Sequence, residues 1–346
     1  MNRRAPASTL LALALVLTLA ACSSPMKKYH QDFYLFGTVM GVTLWADSEA
    51  RAQQAFTSLH ARFQTMHEDW HAWNPGALTA INRAFAEGRA VQASPGIVEM
   101  VRRSQALEES SEGRFNPAIG GLIALWGFHT SDYPILGPPP DRAAIEALLK
   151  QRPSSRDIEI DGERLVSKNP AVQLDFGGIA KGHAIDIACA MLREQGIENA
   201  VINAGGDLRA IGRHGERPWR IAVRAPVGGI IGSLETGPDE AVFTSGNYER
   251  FRQQDTERYP HILDPRSGWP VQDLASVTVI ASEGLLADAA ATAITVAGMD
   301  EWTVVAKALG LEQVLVVDGD GRVYMTPAIS SRIDLEEDTE AVIVPF

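Results

Sequence analysis

The most regular pattern along the chain is a stripe of large apolar residues at three- and four-residue spacing. This spacing places side chains on one face of an α-helix. The residues that follow it are Phe56, Leu59, Phe63, Met66 and Trp70. The pattern predicts a helix from about residue 49 to residue 72, ended by the Asn-Pro-Gly that follows. A second helix is predicted over about residues 95–112.

Shorter apolar runs elsewhere are typical of strands. Residues 33–46 alternate in this way, with interruptions at Gly37 and Gly41. Further strands are predicted over 164–167, 200–211, 219–224, 241–244, 260–263 and 275–281, and helices after Gly178, over 285–297 and over 301–309. Because helices and strands do not alternate strictly, we expect an α+β fold, with mixed sheets and packed helices in one intertwined domain.

The N-terminus has the features of a targeting signal. Arg3 and Arg4 precede an apolar run over residues 10–21, shorter than the roughly 20 residues that a membrane-spanning helix needs. The run ends in Leu-Ala-Ala-Cys22, which resembles the bacterial lipobox, where the cysteine becomes the lipidated first residue. An ordinary cleaved signal peptide is the alternative interpretation.

These features predict a signal peptide over residues 1–21 and a lipidated Cys22 with a polar tether over 22–31. The globular domain is expected over 32–346. Acyl chains would hold this domain on the periplasmic side of a membrane. Ser23 after the cysteine favours the outer membrane over the inner one.

Composition and charge narrow the function classes. The chain is 45% hydrophobic and 21% charged, as expected of a globular protein, and its formal net charge of −12 argues against nucleic acid as a partner. Besides Cys22 the only cysteine is Cys189. Cys189 follows a helical apolar pattern, so we interpret it as a core residue, and neither a disulfide nor thiol catalysis is expected.

The segment Leu-Asp175-Phe-Gly-Gly178-Ile-Ala-Lys181-Gly-His-Ala-Ile-Asp186 predicts a strand end, a glycine pair and a helix start. Free N–H groups at a helix N-terminus suit a phosphate, and Lys181 adds a charged donor. The spacing differs from a Walker loop. A tight turn with a solvated lysine is the alternative.

In the segment Ala-Asp288-Ala-Ala-Ala-Thr292-Ala, a carboxylate and a hydroxyl lie four residues apart and therefore on one helix face. Such oxygen ligands suit Mg2+, which takes its other ligands from water and phosphate. The alternative is that Asp288 lies in the first helical turn and only stabilises the helix terminus.

His261 is predicted in a short strand that enters a proline-bounded turn. A histidine here would serve as a general base near neutral pH, or else as a hydrogen-bonded core residue. His67-Glu-Asp-Trp-His71 matches the H-E-x-x-H zinc-protease pattern. The helix ends at once after it and no third ligand has a recognisable spacing, so we interpret this match as coincidental.

Taken together, the segments resemble the ApbE family of FAD:protein FMN transferases. The resemblance rests on an ordered set of motifs that spans the predicted domain. These are GTVMG, FNPAIGGLIALWGF, LDFGGIAKG, NAGGD, the stretch from SGNYERF to HILDPRSG, and ADAAATA. The fold that the resemblance implies is related to the T-fold.

The resemblance implies an enzyme that binds FAD and Mg2+, transfers FMN to a Thr hydroxyl of an acceptor protein and releases AMP. It implies that Asp288 and Thr292 are metal ligands, with the Gly178 carbonyl nearby, and that His261 and Asp288 are catalytic. The FAD contacts that it implies are Met40, Trp73, Phe115, Asn116, Pro117, Ala118, Asp175, Lys181 and Ile262.

The sequence departs from the family pattern at three positions. Trp73 stands where Tyr is common, Asn247 replaces a usual Asp, and Pro260 replaces a His before His261. The last two would affect acceptor recognition or the balance between transfer and hydrolysis. The alternatives are therefore an FAD pyrophosphatase with the same site and a flavin-binding lipoprotein without catalysis.

The partners implied by the resemblance are FAD and an acceptor flavoprotein with a Ser/Thr-containing motif. That acceptor would be a subunit of a sodium-pumping NADH:quinone oxidoreductase or Rnf-type complex, or an exported reductase. A lipid-anchored enzyme would meet such an acceptor at the membrane surface.

Overall fold

A computed structural model describes residues 25–130 and 132–346. The predicted signal peptide and Cys22 lie outside these residues. The helices in the described part are α1 (Glu49–Trp70), α2 (Ala77–Ala86), α3 (Pro95–Ser110), α4 (Gly120–Trp126), α5 (Arg142–Leu149), α6 (Ala180–Glu194), α7 (Gly284–Ala308) and α8 (Pro327–Ser330). A single 3-10 turn is described at Ser155–Asp157.

The strands are short and are distributed along the described chain. They are β1 (Lys27–Leu35), β2 (Thr38–Ala46), β3 (Val91–Gln92), β4 (Ile135–Leu136), β5 (Ile158–Asp161), β6 (Arg164–Ser167), β7 (Ala200–Ala204), β8 (Asp207–Ile211), β9 (Arg220–Arg224), β10 (Ile230–Glu235), β11 (Asp239–Gly246), β12 (Phe251–Gln254), β13 (Glu257–Pro260), β14 (Leu274–Ala281), β15 (Gln313–Asp318), β16 (Val323–Met325), β17 (Ile333–Leu335) and β18 (Ala341–Ile343).

Half of these strands form one large sheet in the order β1-β2-β7-β8-β11-β14-β15-β16-β18. Its pairs are antiparallel except β16 with β18, and Met40 of β2 lies opposite Ala204 of β7. Three smaller sheets have the orders β17-β10-β9, β13-β12-β4 and β3-β6-β5. The α+β class with mixed sheets is therefore confirmed.

Both faces of the large sheet are covered. Helices α1, α6 and α7 lie against one face, and α6 also packs on α7. Strands β9 and β10 cover part of the other face through a second apolar cluster that includes Val223, Ile231 and Leu234. This double coverage explains why β14 is buried along most of its length rather than on alternate residues.

The predicted helix stripe is confirmed, since all five of its apolar residues are buried in α1. The Ser48 hydroxyl accepts a hydrogen bond from the Arg51 N–H and caps the first turn. The two helices predicted near the C-terminus are one element, α7, interrupted at Gly298, where φ is 70°.

Three sequence predictions need correction. Residues 27–31, predicted as tether, form the first half of β1, because their alternating side chains pair in register with β2. The strand predicted over 33–46 is a hairpin that turns at Phe36 and Gly37, both with positive φ, whereas Gly41 lies within β2. The strand predicted over 260–263 is wrong, because β13 ends at Pro260.

Across residues 25–130 and 132–346, no helix combines the length and the apolar character needed to cross a membrane.

Candidate active site

The turn that enters α6 links three of the predicted segments. The Asp175 carboxylate accepts hydrogen bonds from the Gly177 N–H (2.8 Å) and from the Trp73 indole Nε1 (2.8 Å). The Asp175 N–H donates to the Pro117 carbonyl at 2.8 Å. Burial raises the pKa of Asp175, although these two N–H donors act in the opposite direction. Asp175 thus joins the Trp73 loop and the 115–118 turn to the start of α6.

Helices α6 and α7 cross in close contact at their N-terminal ends. A Cβ atom on Gly182 would lie 2.2 Å from the Gly284 carbonyl oxygen, so the crossing requires glycine. The Asp186 carboxylate accepts the Gly284 and Leu285 N–H groups at 2.7 and 2.9 Å and caps α7. Asp186 follows the glycine pair within the predicted helix start, but its capping role was not predicted.

The crossing orients Asp288. Its Oδ2 atom accepts the Gly182 N–H at 3.0 Å, and the residue is only 5% exposed. Burial raises the pKa of Asp288, while Lys181 lowers it. Because α7 begins at Gly284, Asp288 lies in the second helical turn, so the alternative that it stabilises the first turn is wrong.

The three predicted metal-binding residues are neighbours in the structure. The Thr292 Oγ1 atom is 3.1 Å from the position that a Cβ on Gly178 would occupy. Thr292 also donates to the Asp288 carbonyl at 3.3 Å, which leaves its oxygen lone pairs available. A buried carboxylate, a hydroxyl and a nearby carbonyl form a hard-ligand set that fits Mg2+.

Lys181 is held by an ion pair rather than being solvated. Its Nζ contacts the carboxylate of Asp207, which also accepts the Thr244 N–H at 2.9 Å. Burial disfavours the charged form, but Asp207 and Asp288 outweigh it and raise the pKa of Lys181 to about 12. Asp207 belongs to the Asn-Ala-Gly-Gly-Asp motif, but its pairing with Lys181 was not predicted.

His261 lies just after β13, and its N–H donates to the Arg250 carbonyl at 3.0 Å. Its Nδ1 atom is buried and has no hydrogen-bond partner in the described part of the chain. Burial, Arg250 and Lys181 lower the pKa of His261 to about 4. The imidazole is therefore neutral near pH 7, with one nitrogen unused.

Arg250 was missed at the sequence level, although it lies inside the SGNYERF motif. Its charge acts on both Lys181 and His261, which places it in the same cluster. The guanidinium lies 5.8 Å from the centre of the Tyr133 ring.

The remaining predicted FAD contacts lie in buried or hydrogen-bonded positions. Phe115 lies 3.5 Å from the Cβ position of Gly178, and Asn116 donates to the Pro153 carbonyl while accepting the Ala118 N–H. Met40, Phe115, Ala118 and Ile262 are buried. The Trp73 ring lies 5.1 Å from the His129 ring, between centroids.

The H-E-x-x-H match does not form a metal site. The Nδ1 atom of His67 accepts the Phe36 N–H at 3.3 Å, and that of His71 accepts the N–H groups of Trp73 and Asn74. No group of three His, Cys, Asp or Glu side chains in the described residues could hold a metal ion.

Asn247 has a structural role. Its N–H donates to the Ala275 carbonyl at 3.1 Å and its side chain to the Leu274 carbonyl at 2.7 Å. These bonds tie the segment before Arg250 to the start of β14.

The sequence profile of the ApbE family matches residues 36–315. The chain is 42% identical to an FAD:protein FMN transferase from Rhodobacter capsulatus over 97% of this chain and 65% of that relative. It therefore spans slightly less than two thirds of that protein's length. An enzyme of the same name from Klebsiella pneumoniae is 32% identical over 84% of this chain and 85% of the relative.

Solved structures of similar proteins share the fold. The ApbE protein from Thermotoga maritima has a TM-score of 0.80 at 29% identity, with 88% of this chain and 99% of that chain covered. The flavin transferase ApbE from Vibrio cholerae has a TM-score of 0.78 at 26% identity, with coverages of 89% and 100%.

Proposed function

We propose that this chain, which belongs to the ApbE family, is a flavin transferase that moves FMN from FAD to a threonine hydroxyl of an acceptor protein, with Mg2+ and with release of AMP. The observation that carries this proposal is the meeting of α6 and α7. It brings Gly178, Asp288 and Thr292 together beside Lys181.

In this proposal, Gly178, Asp288 and Thr292 hold Mg2+ next to the pyrophosphate of FAD. When bound, the ion neutralises charge on the phosphate oxygens. Lys181 and Arg250 add positive charge on the protein side. Phosphoryl transfer depends mainly on positioning and charge neutralisation, so this set of groups suits the reaction.

The rest of FAD would lie along the Trp73 and 115–118 segments. Trp73 offers a flat surface for stacking, and its orientation is fixed through Asp175. Buried contacts such as Met40 and Ile262 would shape the floor of the cleft. The described fold joins these segments to the metal-binding end through the Asp175–Pro117 hydrogen bond.

The acceptor hydroxyl oxygen would attack the phosphorus on the FMN side of the pyrophosphate. A new P–O bond to threonine forms, the bond to the bridging oxygen breaks, and AMP leaves with that oxygen. In this proposal the hydroxyl proton passes to the His261 imidazole, which is neutral near pH 7.

The low pKa of His261 suits this role only when substrate is bound. In the free enzyme the positive charges of Arg250 and Lys181 contribute to a pKa of about 4. Bound phosphates would offset these charges and raise the pKa of His261, which makes it a better proton acceptor at the moment of transfer.

Hydrolysis of FAD to FMN and AMP is the second candidate function. It is favoured by the same observation, because the neutral His261 imidazole could equally activate water. The departures at Asn247 and Pro260 are the sequence features that would shift the balance.

We further propose that Cys22 carries a lipid anchor that holds the enzyme on the periplasmic side of a membrane. The acceptor would be a membrane electron-transfer subunit of the NADH:quinone oxidoreductase or Rnf type, or an exported reductase. Both proposals rest on the lipobox-like sequence and the family resemblance.

The test is incubation of the protein from Ser23 onward with FAD, Mg2+ and a candidate acceptor. We expect AMP release and a fluorescent acceptor band on a denaturing gel. Both signals should require Mg2+, and the band should disappear when the acceptor threonine is replaced by alanine. AMP release without a band, across the acceptor types named above, would favour hydrolysis. If neither AMP release nor a fluorescent band is observed, the result favours a flavin-binding protein without catalysis.

A further inference from the structure

The second histidine of the H-E-x-x-H segment, His71, lies where α1 meets the loop that carries Trp73. It is the residue at which the helix ends, with φ −70° and ψ 119°. Its Nδ1 atom accepts the N–H of Trp73 at 3.1 Å and the N–H of Asn74 at 3.0 Å. One ring nitrogen therefore fixes two consecutive main-chain groups of the loop.

These bonds define the protonation state of the ring. An Nδ1 atom that accepts hydrogen bonds carries no proton, so the neutral ring has its proton on Nε2. Burial and the neighbouring His67 lower the pKa of His71, while Asp175 has the opposite effect. The neutral, accepting form is therefore the stable one near neutral pH.

A short chain of contacts leads from His71 to the proposed site. His71 fixes the main chain of Trp73, and the Trp73 indole donates to Asp175 at 2.8 Å. Asp175 in turn accepts the N–H of Gly177, next to the proposed metal-binding Gly178. The orientation of the Trp73 indole therefore depends on the hydrogen bond between the Trp73 N–H and His71.

We propose that His71 is a positioning residue for flavin transfer, which presents the Trp73 ring to FAD by accepting the two loop N–H groups. The inference rests on the proposed FAD-binding role of Trp73. His67 provides a contrast on the preceding helical turn, where its ring lies 5.8 Å from the His71 ring between centroids. Its Nδ1 atom nevertheless accepts the Phe36 N–H rather than an N–H of the Trp73 loop.

The first experiment compares His71→Ala, His71→Asn and His67→Ala. His71→Ala should raise the KM for FAD about five- to tenfold with kcat within about threefold, since it removes a capping acceptor. His71→Asn should restore KM to within about twofold, because an Asn side-chain oxygen can accept the same N–H groups. His67→Ala should leave KM unchanged.

A double-mutant cycle with Trp73→Ala tests whether His71 acts through the tryptophan. In the Trp73→Ala background, His71→Ala should change FAD affinity by less than about twofold. If the effects of His71→Ala and Trp73→Ala on FAD affinity multiplied in the double variant, the proposal would be overturned. An unchanged KM in His71→Ala alone, or a failure of His71→Asn to restore KM, would also overturn it.

Amide hydrogen exchange tests the loop without any flavin. The peptide containing Trp73 and Asn74 should exchange faster in His71→Ala, and normally in His71→Asn and His67→Ala. Unchanged exchange in His71→Ala would contradict the positioning role. If wild-type protein binds FAD and Trp73→Ala does not weaken binding, the proposed role of Trp73 is wrong, and the proposal that His71 presents this ring to FAD is wrong as well.

Discussion

The two ends of the proposed FAD site are held in different ways. At the metal-binding end, Asp288 is fixed by two crossing helices, and the crossing is locked by Asp186 on α6. Arg209 of β8 donates to Asp186 at 2.5 Å and to Asp239 of β11 at 2.9 Å, so Asp186 is also held by the large sheet. At the aromatic end, Trp73 lies in a loop after α1, and hydrogen bonds to His71 and Asp175 orient it.

This difference follows from what each end must do. Charge neutralisation at a phosphate requires ligands placed to within a fraction of an ångström, which packed helices can provide. An aromatic contact tolerates small shifts, because stacking depends weakly on exact position. Changes at the metal-binding end should therefore reduce kcat, whereas changes at the aromatic end should mainly raise KM.

Asp288→Asn should have the largest effect, a loss of about a thousandfold in kcat, because it removes the charged metal ligand. The amide oxygen can still accept the Gly182 N–H, and a buried carboxylate is no longer desolvated. We therefore expect no loss of thermal stability. AMP release and a melting curve on the same sample check both points, and a large drop in Tm would show that the effect is on folding.

Lys181→Met should reduce kcat about a hundredfold and also lower stability by about 1–3 kcal/mol, because the buried Asp207 loses its partner. The double variant Lys181→Met with Asp207→Asn should recover the stability but not the activity. Denaturant unfolding and AMP release separate the two effects. Recovery of activity in the double variant would mean that Lys181 is only structural.

Arg250→Ala should reduce kcat about tenfold and move the acid limb of kcat/KM to higher pH. Arg250 lowers the pKa of His261, so its removal lets the imidazole take up a proton at a higher pH and lose its role as base. The pH profile is measured at saturating Mg2+. If the acid limb instead reports the protonation of Asp288, it should not move in Arg250→Ala, because burial, Lys181 and Asp207 have the largest effects on the pKa of Asp288.

The sequence predicted the parts of the molecule that short-range patterns encode. The α1 stripe and the Asp288–Thr292 pair follow from helical spacing, and the structure shows both on helices as expected. The Gly182–Gly284 contact, the Asp207 partner of Lys181 and the Arg250 charge join residues that are distant along the chain. Helical periodicity carries no information about such contacts, so none of the three was predicted.

The same limit explains why the surroundings of the histidines could not be predicted from the sequence. The H-E-x-x-H match at His67 and His71 was interpreted as coincidental, but the pattern could not show that both Nδ1 atoms accept main-chain N–H groups. His261 was predicted in a strand because its neighbours are apolar. In the structure β13 ends at Pro260, and the chain enters a turn over residues 264–268 that is bounded by the Asp264–Trp269 and Gly268–Asp264 main-chain hydrogen bonds.

Substitution of Trp73 should give the smallest effects and test the aromatic end directly. Trp73→Tyr should change the KM for FAD by less than about threefold, because tyrosine keeps a flat ring and a donor for Asp175. Trp73→Ala should raise KM about tenfold with little change in kcat. If Trp73→Ala instead reduced kcat as strongly as Asp288→Asn, the aromatic end would be part of the chemical step, and the two ends would not differ as argued above.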